Sequence, residues 1–239
     1  MSKYQTITQP DFTMDEMAAF IDHSLLTPFV SKKDLDAFLQ DVIKYKFKAC
    51  AINNSNTEYC ANKLAGSSTI VAPAVAFPFG VLAPDVKAAE VASAIKMGAG
   101  EIDIVSNIGA AKSGDWELYY RDCAACAEVA HKAGLIIKVI IETCYLTKEE
   151  KIKCCEVAKK AGMDFVKTST GFGVSGFTST ATLGDVKLMK SVVGMDMGVK
   201  ASGPIGDYDT AVAMINAGAH RIGSRNGVSI LMGCTDYKA

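Results

Sequence analysis

The chain has 239 residues with 25 basic and 26 acidic side chains, which leave a net charge of −1 at pH 7. This balance provides no basic surface for nucleic acid or an anionic membrane, so neither is expected as a partner. No apolar run approaches the roughly 20 residues that span a bilayer, and the polar residues 1–5 do not resemble a signal peptide. We therefore expect a soluble, cytoplasmic protein whose hydrophobic residues, 49% of the total, form one large core.

Short apolar segments alternate with helical patterns along the chain. Apolar runs bounded by Gly or Pro, with a helix-like stretch after each, are typical of parallel strands that are buried on both faces. The predicted strands cover residues 20–25, 48–53, 69–77, 101–106, 135–142, 164–168, 197–202 and 220–223.

Helical signals occupy the intervals between these strands. Within residues 31–45, one face of the predicted helix carries Leu35, Phe38, Leu39, Val42 and Ile43. Thr147, with Glu150 three residues later, predicts a capping box at the start of another helix. Pro84 predicts the first turn of a third helix, which we expect to end near residues 99–100.

The chain has eight strand–helix units, and its amino-acid composition does not change from one part to another. These features predict a single-domain α/β fold, a closed (β/α)8 TIM barrel over residues 1–239. Residues 1–18 are then a short N-terminal extension or helix. Active sites of such barrels lie at the carboxyl ends of the strands, so polar residues at those ends are the candidates for function.

Eight cysteines raise the question of disulfides or metal ligands. Cys123 and Cys126 have suitable spacing, but they fall on a predicted helix at residues 118–131 and no second ligand pair accompanies them. We interpret them as half-buried helix residues. A domain of this size does not need disulfides, so we expect reduced thiols, with no metal and no other cofactor.

Two lysines lie where predicted strands end. Lys167 is followed by Thr-Ser-Thr-Gly and Lys200 by Ala-Ser-Gly. Burial and a second ammonium nearby both lower the pKa of a lysine, which leaves some neutral amine to attack a carbonyl. The alternative is that each lysine only pairs with a carboxylate such as Asp103 or Glu142. Two lysines at equivalent strand ends favour the chemical role.

Other polar residues satisfy the same strand-end criterion. They are Asp22, Asp103, Glu142, Ser202, Ser224, Arg225 and Asn226. Residues two apart on a strand share a face, so Glu101 and Asp103 should point alike. Unpaired buried charges are costly, and lysines should therefore face carboxylates in the barrel. A purely structural ion network is an alternative that the spacing leaves open.

Four segments resemble those of the deoxyribose-phosphate aldolases. They are residues 101–103 (EID), 138–143 (KVIIET), 166–171 (VKTSTG) and 199–203 (VKASG). The likeness begins at residues 21–26 (IDHSLL) and runs nearly to the C-terminus. It implies a class I aldolase, which forms a lysine Schiff base on a (β/α)8 barrel.

The resemblance also implies roles for individual residues. Lys167 matches the Schiff-base lysine, Lys200 the lysine that lowers its pKa, and Asp103 the carboxylate of proton transfer. Asp22 and Lys138 match the supporting polar cluster. The residues expected to bind the substrate are Asp22, Lys138, Thr168, Gly171, Ser202, Gly203, Ser224, Arg225 and Asn226.

The chain departs from the family pattern at the anion-binding end. The family usually has Gly-Gly where this chain has Gly203 and Pro204, and proline lacks an N–H for a phosphate. Arg225 replaces a small residue in a turn at a helix N-terminus, a favoured phosphate site. It either binds an anion through its guanidinium or fills the space of the phosphate. Tyr237 is either a tail residue that reaches the site, as in some relatives, or part of a frayed terminus.

The first predicted function is reversible cleavage of 2-deoxy-D-ribose 5-phosphate to acetaldehyde and D-glyceraldehyde 3-phosphate. A second hypothesis keeps the lysine chemistry on a different acidic or unphosphorylated aldol substrate. A third is a non-catalytic, metabolite-binding barrel, which the joint presence of Lys167, Lys200 and Asp103 disfavours. The expected partner is a small aldehyde or sugar phosphate, and the sequence leaves open whether the chain forms a homo-oligomer.

Overall fold

The computed structural model describes residues 4–237, and over this range eight parallel strands close into a barrel. Each strand pairs with the next, and the last pairs with the first, so the predicted (β/α)8 fold is confirmed. The strands are β1 (Ile21–Leu25), β2 (Ala49–Asn53), β3 (Ile70–Val75), β4 (Glu101–Val105), β5 (Ile136–Ile140), β6 (Phe165–Lys167), β7 (Gly198–Ser202) and β8 (Arg221–Ser224). Every predicted strand is present, with ends that differ by at most two residues.

Helices surround the barrel, and the same described range contains ten of them. They are α1 (Met14–Ala18), α2 (Lys32–Tyr45), α3 (Thr57–Lys63), α4 (Pro84–Lys96), α5 (Ile108–Lys112), α6 (Trp116–Lys132), α7 (Lys148–Lys160), α8 (Leu183–Val193), α9 (Tyr208–Asn216) and α10 (Gly227–Leu231). Short 3₁₀ turns cover Asn54–Asn56 and Thr143–Tyr145.

Local signals in the sequence account for several helix boundaries. The capping box of Thr147 and Glu150 is present at the start of α7, and Pro84 occupies the first turn of α4. The predicted end of α4 was wrong, because the helix stops at Lys96. On α2 the predicted core residues are buried except Ile43, which is 50% exposed. It lies at the margin of the apolar stripe near the end of the helix, where solvent reaches it.

The cysteines of the described residues are unpaired thiols. None of the eight cysteines forms a disulfide within residues 4–237. Cys123 and Cys126 lie on α6, but they are fully rather than half buried because α6 packs against both α4 and α7. Burial raises the pKa of Cys126 to about 12, so this thiol stays protonated at neutral pH.

Both ends of the described chain lie on the amino-terminal side of the barrel. The Tyr4 ring contacts the edge of Phe165, at the start of β6, with 4.9 Å between centroids. The N–H of Met14 donates to Asp236 at 2.8 Å, and that of Tyr237 donates to the carbonyl of Cys234 at 3.2 Å. Tyr237 is therefore remote from the carboxyl ends of the strands.

Helix length and composition indicate whether a helix could span a membrane. Among the helices of residues 4–237, none is long and apolar enough to cross a bilayer. The prediction about a signal peptide concerned residues 1–5, of which 1–3 lie outside the described residues.

Candidate active site

Charged side chains fill the interior of the barrel, because alternate residues of a strand point to the same face. On β4, Glu101 and Asp103 point inward as predicted, while Ile102 and Ile104 join the apolar core around the barrel. The same alternation applies to the other strands. The interior charged residues, each at most 5% exposed, are Asp22, Glu101, Asp103, Lys138, Lys167, Lys200 and Arg221.

The strand register brings the basic residues side by side. Lys167 is the partner of Lys200 across β6 and β7, and Lys200 is the partner of Arg221 across β7 and β8. Across β4 and β5, Asp103 is the partner of Lys138. The two lysines selected from the sequence are therefore neighbours in space.

Asp103 is the carboxylate that these lysines share. Its Oδ2 accepts hydrogen bonds from Lys167 at 2.8 Å and from Lys200 at 2.7 Å, and its Oδ1 accepts one from Lys138 at 2.9 Å. Burial would raise the pKa of Asp103, but the three ammonium groups hold it well below its usual range. Asp103 is therefore ionised at neutral pH.

Arg221 and Glu101 form a further part of this network. The guanidinium of Arg221 donates from Nη1 and Nη2 to the two oxygens of Glu101, at 3.1 and 2.8 Å, and from Nε to Asp22 at 2.6 Å. Lys138 donates to Glu101 at 2.5 Å, and Lys200 contacts Asp22. Burial would raise the pKa of Asp22, but Arg221 and Lys200 are the main groups that lower it to about 2.

The sequence interpretation missed Arg221 and gave Glu101 no role. The signal was available in the last predicted strand, where Arg221 is two residues before Gly223 and hence on the same face. Arg221 has a partner that proximity in the sequence does not reveal. Its partner Asp22 is 199 residues away.

Lys167 has a pKa below the usual range of a lysine. Burial is the main cause that lowers its pKa to about 8; Asp103 opposes this shift and Lys200 reinforces it. A group with this pKa is neutral in about one tenth of molecules at pH 7. A nucleophilic amine is therefore present near neutrality, as a carbonyl-attacking lysine requires.

A cavity of about 430 Å³ opens above this network at the carboxyl ends of the strands. Lys167 and Lys200 lie at its base, and its wall includes residues 24–27 at the carboxyl end of β1. Its volume falls within the range of about 300–1,000 Å³ typical of small-molecule sites. The amine of Lys167 can therefore meet a ligand bound in this cavity.

The predicted substrate-binding residues divide into two groups. Those that line the cavity are Gly171, Ser202, Gly203 and Arg225, and those that do not are Asp22, Lys138, Thr168, Ser224 and Asn226. Asp22 and Lys138 belong to the charged network beneath the cavity. The Thr168 hydroxyl accepts from the N–H of Ser202 at 3.0 Å, so it supports the cavity wall from behind.

Two backbone donors at the anion-binding end are occupied. The N–H of Gly171 donates to Ser179 Oγ at 2.8 Å, and that of Asn226 donates to Ser224 Oγ at 2.9 Å. Pro204 has no N–H. Arg225 is exposed at the cavity, and within residues 4–237 it forms no ion pair. Its guanidinium is therefore available to an anionic ligand.

Glu142 lies just after the end of β5, but it does not have the lysine partner that the alternative interpretation gave it. It does not pair with a lysine; its carboxylate accepts from the N–H of Thr170 at 3.0 Å, from the Thr170 hydroxyl, and from Ser179 Oγ at 2.6 Å. These bonds hold the segment between β6 and α8, which contributes Phe172 and Phe177 to the cavity. Sequence reasoning selected Thr168 and Gly171 in this segment but missed Phe172 and Phe177, because their position at the cavity appears only in the folded chain.

The grouping of possible metal ligands is a further feature of the described chain. Across residues 4–237, no three His, Cys, Asp or Glu side chains are grouped so that they could hold a metal ion. The chemistry available to the described side chains is that of a partly neutral amine beside an ionised carboxylate.

Comparisons with known proteins give a consistent result. A sequence model of the DeoC/LacD family aldolases matches residues 18–234. A deoxyribose-phosphate aldolase from Thermococcus gammatolerans is 48% identical over 222 residues, which cover 91% of this chain and 96% of that protein. Another, from Streptococcus sanguinis, is 47% identical over 214 residues, or 90% of this chain and 94% of that protein. A solved tetrameric deoxyribose phosphate aldolase from Aeropyrum pernix has a TM-score of 0.84 at 27% identity and covers 92% of this chain and 91% of its own.

Proposed function

Because the chain belongs to the DeoC/LacD family of aldolases, we propose that it reversibly cleaves 2-deoxy-D-ribose 5-phosphate to acetaldehyde and D-glyceraldehyde 3-phosphate. The observation that carries this proposal is Lys167, a buried lysine at the base of the cavity whose pKa is lowered to about 8. Asp103 and Lys200 lie beside it, so a nucleophile and groups that carry protons occur together.

The first half of the reaction forms a covalent bond to Lys167. The neutral amine adds to the C1 aldehyde of the open-chain sugar and gives a carbinolamine. Protonation of its hydroxyl and loss of water give an iminium. Asp103 and Lys200 are close enough to the amine to deliver and accept these protons.

The second half uses the iminium as an electron sink. The C3 hydroxyl loses a proton, the C2–C3 bond breaks, and its electron pair moves toward the iminium nitrogen to give an enamine. D-glyceraldehyde 3-phosphate is released. Protonation of the enamine at C2 and hydrolysis of the resulting iminium release acetaldehyde and restore the amine of Lys167.

The proposal is tested by activity and by trapping. Purified protein should release acetaldehyde from 2-deoxy-D-ribose 5-phosphate, and borohydride with acetaldehyde should leave a reduced two-carbon adduct on Lys167. Peptide mass spectrometry locates the adduct. An adduct on Lys200 alone, or no adduct and no cleavage, would contradict the assignment of Lys167.

Arg225 is the residue we propose for recognition of the substrate phosphate. Since its guanidinium lies at the cavity without an ion pair in the described residues, Arg225→Ser should weaken use of the phosphorylated sugar. Loss of a charge-assisted hydrogen bond costs about 1.5–3 kcal/mol, or roughly ten- to a hundredfold in kcat/KM. The measurement is the ratio of kcat/KM for 2-deoxyribose 5-phosphate to that for 2-deoxyribose.

The exposed Arg121 on α6 provides a matched control for this substitution. Arg121→Ser should leave the ratio unchanged. A ratio that rises in Arg225→Ser would show that Arg225 obstructs the phosphate, and would favour an unphosphorylated substrate for the native protein. An unchanged ratio would show that Arg225 does not contact the substrate.

A cytoplasmic location and a homo-oligomer complete the proposal. Seven of the eight unpaired cysteines are buried thiols, which suits a reducing compartment. Phe29 and Val81, 82% and 80% exposed, are large apolar side chains that a subunit contact would cover. A monomer mass by light scattering would contradict the oligomer, and disulfides in protein isolated under thiol-blocking conditions would contradict the location.

A further inference from the structure

The charged groups inside the barrel do not balance. Within residues 4–237, four basic side chains, Lys138, Lys167, Lys200 and Arg221, face three acidic ones, Asp22, Glu101 and Asp103. If all seven were ionised, the buried network would carry a net charge of +1. A net charge in a weakly polar interior is costly, so the network is stabilised when one cation loses its proton.

Arg221 cannot be that cation. Guanidinium groups do not deprotonate in proteins. Burial would lower the pKa of Arg221, but Asp22 and Glu101 raise it further above its usual value. Its bonds to both oxygens of Glu101 and to Asp22 keep a permanent positive charge in the network.

Among the lysines, Lys167 is the one with the least compensation. Lys138 pairs with Glu101 and Asp103, and Lys200 pairs with Asp22 and Asp103. Lys167 pairs with Asp103 alone and borders the cavity. The proton is therefore lost from Lys167 at the smallest cost in ion pairing.

Glu142, a further buried carboxylate near the strand ends, is outside the network. Glu142 is bonded to Thr170 and Ser179, and it forms no ion pair with the interior cations. The groups that face Lys167 from the strands around it are therefore the other six members of the network.

We infer that Arg221 supplies the excess positive charge of the barrel interior, and that this charge makes Lys167 the lysine that gives up its proton. Arg221 is then a positioning residue, since it acts through Asp22 and Glu101 and does not border the cavity. The inference rests on the proposed function in taking Lys167 as the nucleophile.

Two single variants change the charge balance in opposite directions, and the double variant restores it. Arg221→Met makes the network neutral when Lys167 is protonated, so Lys167 should hold its proton more strongly. Glu101→Gln, which keeps the size of the side chain, raises the net charge, so Lys167 should lose its proton more readily. Glu101 and Arg221 form a bidentate pair. The double variant removes one positive and one negative charge, so it restores the native net charge of the network.

The measurement is the pH dependence of Lys167 acylation by acetic anhydride, followed by peptide mass spectrometry. The native inflection should lie near pH 8. In Arg221→Met the inflection should rise by one pH unit or more, which leaves about tenfold less neutral amine at pH 7. Reactivity of Lys167 should then return at higher pH. Glu101→Gln should move it downward, and the double variant should lie close to the native protein.

A structural disturbance would not shift the inflection in opposite directions. The same inflection in the native protein and in Glu101→Gln would overturn the inference. If Arg221→Met does not fold, Glu101→Gln and the double variant still decide the question. The inference requires the inflection to lie at a lower pH in Glu101→Gln than in the double variant. Borohydride trapping of acetaldehyde on native Lys167 is run in parallel. Its failure would contradict the proposed function, whereas the acylation profile would still test the role of Arg221.

Discussion

Lys167→Met is expected to lower cleavage of 2-deoxy-D-ribose 5-phosphate by a factor on the order of 10⁴ or more, because the nucleophile is removed and no neighbouring group replaces it. Lys200 is close by, but it pairs with both Asp22 and Asp103. Its amine is therefore held by two carboxylates. The measurement is kcat with the phosphorylated sugar, together with borohydride trapping of acetaldehyde.

Lys63 provides the control for this prediction. It is half exposed on α3, where it pairs with Asp36. Lys63→Met should change stability by less than about 0.5 kcal/mol and leave turnover unchanged, as is usual for surface positions. If Lys167→Met kept more than a few per cent of native turnover, Lys167 would not be the nucleophile.

Asp103→Asn is expected to lower both stability and turnover. Three buried lysines would lose their shared carboxylate, and breaking a buried ion pair typically costs about 3–5 kcal/mol. For a protein of this size each kcal/mol corresponds to about 2–4 °C in Tm, so calorimetry should show a decrease of roughly 6–20 °C. Turnover should fall by about 10²–10⁴ because a proton-transfer group is lost.

Borohydride trapping distinguishes the effect of Asp103→Asn on the amine of Lys167 from its effect on turnover. The Asp103 carboxylate raises the pKa of Lys167, so its removal should leave more neutral amine at pH 7. Borohydride trapping of acetaldehyde should therefore persist in a variant whose turnover is strongly reduced. A variant that retains native turnover would show that Asp103 has only a structural role.

Asp122 is the matched control for Asp103, since it is a buried carboxylate paired with a buried lysine outside the site. It accepts from Lys87 at 2.6 Å, and both side chains are fully buried. Asp122→Asn should lower Tm in a similar way and leave kcat of the folded protein unchanged. A comparable loss of kcat in both variants would attribute the effect of Asp103→Asn to destabilisation.

The sequence by itself was sufficient for the fold and for the choice of Lys167 as the candidate nucleophile. Alternation of apolar runs with helical patterns predicted all eight strands, since parallel strands buried on both faces are nearly continuous in hydrophobicity. Lys167 was identifiable because a lysine at the end of such a strand is an exception to that pattern. Resemblance in four short segments then indicated the aldolase family, to which the chain belongs.

Contacts between distant strands were decided only by the tertiary structure. Closure of β8 on β1 brings Arg221 to Asp22, and the strand order brings Lys167 and Lys200 to one oxygen of Asp103. Glu142 was a partner of a lysine only in the alternative interpretation, and it bonds to Thr170 and Ser179 instead. Periodicity along the chain shows that a residue points inward, whereas barrel closure and strand register decide which residue it meets, because the two come from separate parts of the chain.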